Sequence, residues 1–226
     1  MFLALCLFSN PGYAQPCDTY FPMKQGNEYE MQNYHDNDKP TGKVVYKVLS
    51  NRRNGKDEES VMQMEVYDKK DKIATTAQYE FQCKNGLLRL DMRTMAGMNN
   101  MASGMDMRGE PAYLDMPASL SVGQKLADGH LAMDMFSKDT KMGEFKYHIT
   151  NRQVVAKEKI KVPIGEYECY KITGDVRSEA RMMGIGVPVN YQSVEWRAPG
   201  VGVVRSEMHR TNGKLMYYSL LSRVKL

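Results

Sequence analysis

The chain of 226 residues carries 31 basic and 27 acidic side chains, for a formal net charge of +4, and 42% of it is apolar. A mild basic excess scattered in mixed runs lacks the clustered stripe of a nucleic-acid binder. After the first residues no segment nears the roughly 20 apolar residues of a membrane-spanning helix, and the length fits one domain or one large β-architecture.

Met1 to Phe8 is an uninterrupted apolar run, broken by Asn10-Pro11 and followed by Gly12-Tyr13-Ala14, small at both positions a signal peptidase reads. This is the pattern of a secretory leader over residues 1–14, with the mature chain starting at Gln15. The positively charged start of such a leader is missing, so either translation begins upstream or the leader is atypical. Cleavage removes Cys6 and leaves Cys17, Cys83 and Cys169. In an oxidising compartment the simplest count is one bridge and one buried thiol. Ala14-Gln15-Pro16 lacks the small residues that precede a lipidated cysteine, so Cys17 reads as a bridge partner rather than a lipid anchor.

Alternation of apolar and polar residues then dominates. Val44, Tyr46 and Val48 share one face of a strand, as do Met62, Met64 and Val66, then Tyr79, Phe81 and Cys83. A period of two over such lengths argues half-buried antiparallel strands. Turn chemistry separates them at 36–42, 51–55, 68–71 and 211–214, the last containing Asn212-Gly213. If 27–36, 42–51, 60–68 and 73–83 form a meander, Cys17 and Cys83 fall at the same end of the sheet, which favours a Cys17–Cys83 bridge. The rival, Cys83–Cys169, would staple the two halves of the chain. From Thr94 to Ser119 alternation lapses among Gly97, Gly104, Gly109, Pro111 and Pro117. The expectation there is a short helix near 94–102 and then a long loop, an insertion within a single domain of residues 15–226. Such loops are usually functional or disordered. Alternation resumes at Leu131-x-Met133-x-Met135 and at Phe145-x-Tyr147-x-Ile149, and again at Leu215-x-Tyr217.

Three segments, Cys17-Asp18-Thr19-Tyr20-Phe21-Pro22 with Gly26 and Tyr29, Gly165 to Ile172, and Val194-Glu195-Trp196-Arg197-Ala198-Pro199-Gly200 onward to Val204, together carry a family resemblance. In their order the chain resembles the TapB-like group of exported Bacteroidota proteins, related to a larger domain-of-unknown-function family. The resemblance implies export and a mainly β fold, a strongly curved antiparallel sheet or incomplete β-barrel resembling lipoprotein-carrier folds. It implies no catalytic residues.

Methionine is the unusual component, 19 in all, with Met92, Met95, Met98 and Met101 recurring every third residue and Met105, Met107, Met116, Met133, Met135 and Met142 following. Thioethers bind Cu(I), and His130 and His148 could join them. The plainer reading is a flexible apolar lining of the kind found at adaptable binding surfaces. Trp196, the only tryptophan, reads mainly as core packing beside a Pro-Gly corner, with ligand stacking as the alternative. Enzyme chemistry finds no footing. His35, His130, His148 and His209 lack metal-ligand spacing, Ser103 lacks a nucleophile elbow, and no constellation meets a geometry-and-role test.

These features favour a non-enzymatic, exported envelope protein of the periplasm, outer membrane surface or exterior. Its β cavity holds a lipid or other apolar ligand against Met92, Met95, Met98, Met101, Met133, Met135, Tyr147 and Trp196, with 94–119 over the mouth. A Cu(I) protein and a scaffold that binds a protein partner are the alternatives. No cofactor or nucleic acid is expected; peripheral membrane association and oligomeric state stay open.

Overall fold

The computed structural model describes residues 23–93 and 105–226. The leader, Cys17, Met95, Met98, Met101 and the short helix expected near 94–102 lie outside the described residues. The meander expected at the start is present as β1 (Glu28–His35), β2 (Pro40–Asn54), β3 (Asp57–Asp68) and β4 (Ile73–Lys84). Next come β5 (Leu87–Asp91), β6 (Asp106–Arg108), β7 (Tyr113–Pro117), β8 (Gly129–Ser137), β9 (Thr140–Val162) and β10 (Gly165–Met182). The chain closes with β11 (Ile185–Ala198), β12 (Gly202–His209) and β13 (Leu215–Lys225).

All belong to one antiparallel sheet in the order β6-β8-β9-β10-β11-β12-β13-β1-β2-β3-β4-β5-β7, not closed into a barrel. Its two edge strands are neighbours in sequence, since only residues 109–112 separate β6 from β7. At about 3.5 Å per residue that connection reaches no more than about 18 Å. Twelve inter-strand steps of about 4.8 Å would set the edges of a flat sheet nearly 58 Å apart. The sheet must therefore curl until its edges almost touch. At the seam β7 faces β8 through side chains and not through a ladder. An ideal β-carbon on Gly129 would lie 2.6 Å from Leu114 Cδ1 and 2.9 Å from Met92 Sδ, the movable ends of two side chains, so these three residues pack closely at the seam.

The expectation of a long loop over 94–119 is corrected by β6 and β7, which occupy part of it. Tyr113-Leu114-Asp115-Met116-Pro117 does alternate, with Leu114 and Met116 inward, but prolines on both sides masked the pattern. Pro117 is tolerated because β7 is an edge strand.

The curled sheet encloses one continuous core. It is rich in methionine: Met62, Met64, Met92, Met116, Met133 and Met135 are all buried. Met23 is also buried, and its carbonyl accepts hydrogen bonds from Asn51 Nδ2 at 2.8 Å and Ser60 Oγ at 3.0 Å. Cys169 is a free, buried thiol, which overturns the Cys83–Cys169 alternative, and burial pushes its pKa up to about 11. Cys83, buried in β4, is disulfide-bonded.

Gly42 sits in β2 with φ of +139°, and a β-carbon there would meet the Tyr67 carbonyl oxygen at 2.1 Å. Backbone atoms cannot swing aside, so Gly42→Ala should cost about 2 kcal/mol, read as a lower urea midpoint. For the bridge, Ser60 pairs with Phe81 and Glu58 with Cys83, so Met23 is anchored close to Cys83. The six residues back to Cys17 reach about 20 Å, enough to close the link. Peptide mapping without reductant should recover Cys17 joined to Cys83; Cys17 alkylated as a free thiol would overturn that pairing.

Candidate functional site

Strand parity sorts the residues singled out from sequence. Met133 pairs with Phe145, and Leu131 with Tyr147; Tyr147 in turn pairs with Ser178, and Ser178 with Val189. Directly opposed residues share a face. This face is the concave one, on which Met133, Met135 and Tyr147 are packed against the continuous core. Met92, next to the seam, joins them from the far edge of the sheet.

Trp196 belongs to the same buried cluster but with the opposite parity, since Glu195 and Arg197 share that of Val189 and Tyr191 on β11. Its cross-strand neighbours are Lys171 and Arg205, whose cationic groups lie 5.0 and 5.4 Å from the ring centroid. The indole Nε1 donates to Glu158 Oε1 at 2.6 Å, and the residue is 5% exposed. The ring is packed between neighbouring strands as part of the buried cluster, in keeping with core packing.

What sequence reasoning missed is a set of polar groups inside the methionine-lined core. Arg197 is buried and donates from Nε and Nη2 to Glu195 Oε2 at 3.0 and 2.8 Å. Arg152 is buried too, and its Nη1 donates to the carbonyls of Asp115 at 3.1 Å and Ala127 at 2.7 Å. Burial holds the Arg152 pKa below the usual range, with Glu195 opposing. Burial and then Glu195 push the Tyr46 phenol up to about 12, against the pull of Arg197. Burial first, and then the neighbouring Tyr191, raises the Tyr147 pKa as well, and the two hydroxyls lie 3.5 Å apart. Tyr79 donates from its hydroxyl to Met64 Sδ at 3.5 Å. The interior is thus a thioether-rich packed core that holds a few buried polar groups. The available signal was the concave parity of Glu195 and Arg197, charges where an apolar residue belongs.

Sequence spacing also hid a histidine pair. His130 and His148 oppose each other on β8 and β9, with their Nδ1 atoms 2.8 Å apart. Burial first, then His130, Arg177 and Lys146, lowers the pKa of His148. Among the described residues, no group of three or more His, Cys, Asp or Glu side chains could hold a metal ion. A separate cleft of about 190 Å³ crosses β9, β10 and β11, lined by His148, Thr150, Asp175, Arg177, Asn190 and Gln192 among others. None of the five described residues expected to hold a ligand, Met92, Met133, Met135, Tyr147 and Trp196, lines it.

Arg152→Met keeps the bulk but leaves the Asp115 and Ala127 carbonyls without their donor. At roughly 1–3 kcal/mol for each orphaned buried group, the variant should lose several °C of thermal midpoint. An unchanged midpoint would mean that water replaces the guanidinium and that this region is wet.

A DUF3108-like family model matches residues 24–221. A crystal structure of a candidate lipoprotein from Parabacteroides distasonis is similar in fold, with a TM-score of 0.74 at 18% identity over 91% of this chain and 97% of that one. A candidate exported protein with a YmcC-like fold from Bacteroides fragilis also has a TM-score of 0.74, at 22% identity over 92% and 99% of the two chains. A search of the curated proteins found no match.

Proposed function

The chain belongs to the DUF3108-like family, and from that premise we propose that it is an exported, non-enzymatic envelope protein that holds a lipid or other apolar ligand inside its curled sheet. The TapB-like kinship is part of the same proposal. The apparent leader and the exported and lipoprotein descriptions of its two structural neighbours support the location.

One observation carries the ligand reading. The interior is packed with methionines up to a seam that no backbone ladder closes. Unbranched thioethers re-pack at little cost, and parting β7 from β8 breaks side-chain contacts while leaving the ladders of both strands whole. An acyl chain entering there would lie along Met92, Met116, Met133 and Met135. A polar end would meet Arg152, Arg197 and the tyrosines. The copper alternative has less to stand on: Met64 is already a hydrogen-bond acceptor, and Met133 and Met135 pack among apolar side chains.

Native mass spectrometry of protein purified from its own envelope should show a population heavier by the mass of a lipid or fatty acid, released by organic extraction. Gly129→Leu, which wedges a side chain into the seam, should change the fraction loaded. A ligand-free mass across repeated preparations, with no uptake of a fluorescent fatty acid, would sink the reading. Tight anaerobic binding of Cu(I) that is lost when Met92 and Met133 are replaced would favour the metal alternative.

A further inference from the structure

The end of the β10–β11 hairpin breaks the rule that apolar surface is buried. Met183 is 82% exposed, Ile185 74% and Val187 64%, and Met182 lies beside them. From Met182 to Val189 the chain carries no charged residue. The hairpin turns tightly through Met183 and Gly184, with φ of 49° and 81°, and is closed by the Met182–Ile185 pair. On its other side β10 is paired with β9 up to Met182, but β12 pairs with β11 only from Gln192 onward, so among the described residues the β11 edge from Ile185 to Tyr191 runs free for about 23 Å at roughly 3.3 Å per residue.

A free edge next to apolar side chains invites another strand, but this one resists. Alternation from the Ile185 closing pair turns the backbone of residues 186, 188 and 190 toward the free side, and Pro188 has no N–H to offer there. Whatever meets the tip must take its side chains, not its backbone. Four side chains at the end of a ribbon fall far short of the roughly 800 Å² per partner that a stable protein interface buries. They are enough to seat a shallow anchor in the outer zone of a bilayer. Around them the charged groups pair with one another: Glu179 with Arg177 and Arg181, Lys141 with Asp134 and Glu144, and Lys146 with Glu144.

We propose that the tip of the β10–β11 hairpin is a membrane-docking element, in which Met182, Met183, Ile185 and Val187 enter the headgroup boundary of a lipid bilayer. Because apolar side chains do the anchoring, docking requires no anionic lipid and survives salt. The proposal does not depend on a ligand in the interior, because the tip lies outside the closed core.

Flotation of the mature chain with vesicles tests it, using phosphatidylcholine alone and phosphatidylcholine with phosphatidylglycerol. The protein should float with both, and equally at high salt. The double variant Met183→Asp and Ile185→Asp should lose about tenfold or more in binding, since one apolar side chain lost from the bilayer accounts for that much. Val122→Asp, at another exposed apolar residue (57% exposed), should bind as the parent does. A bimane label on Met183→Cys should shift to the blue on adding vesicles, which gives a readout independent of the aspartate variants. Failure to float with either vesicle, binding only to anionic vesicles and lost in salt, or full binding by the double variant would each overturn the proposal. So would sedimentation showing a dimer that the double variant dissolves, which would assign the tip to a second copy.

Discussion

Four residues, Gly109 to Ala112, join the two edges of a thirteen-stranded sheet, and the rest of the molecule answers to that tether. Because the edges cannot separate, the sheet has a concave face, and residues of inward parity away from the strand ends become core. The closure is also incomplete. Hydrogen bonds hold every other strand boundary, whereas β7 and β8 meet only through side chains. A boundary of that kind is held by the packing of Met92, Leu114 and Gly129 rather than by the directional geometry of a ladder.

The interior combines two demands that usually conflict. Methionine gives a lining that tolerates changes of shape, and such linings specify a single packing poorly. Buried charged groups do the opposite, because each needs its partners in fixed places. Arg152 ties the loop before β8 and the edge strand β7 to β9 through two carbonyls, and Arg197 is held to Glu195 on its own strand. The polar groups thus fix the frame while the thioethers remain adaptable between them.

Much of the architecture was legible in the sequence. The first four strands fall within a few residues of where alternation and turn residues place them, because a half-buried strand with polar turns leaves a strong local pattern. The missing elements had weak local patterns. β6 is three residues long, too short to alternate, and β7 is framed by prolines. The interior polar groups were harder still. Nothing in the order of residues tells which strands face each other across a curled sheet, so Tyr46, Arg152 and Glu195 look unrelated until the sheet closes. Trp196 illustrates the converse. Its place beside a Pro-Gly corner suggested core packing, which its burial bears out, but its partners Lys171, Arg205 and Glu158 come from three other strands and no local pattern names them.

The first strand and the last are partners. β1 lies between β2 and β13, with Ser219 donating to Asn33 across 186 positions of sequence at 2.7 Å and the rings of Tyr34 and Tyr218 stacked 4.9 Å apart. A chain made amino terminus first delivers β1 at the outset and β13 at the end. Until then β1 keeps one side open, a template for wrong strands that only completion of the chain removes. Such topology ties folding to the arrival of the last strand and makes the incomplete chain, rather than the finished molecule, the species most exposed to mispairing.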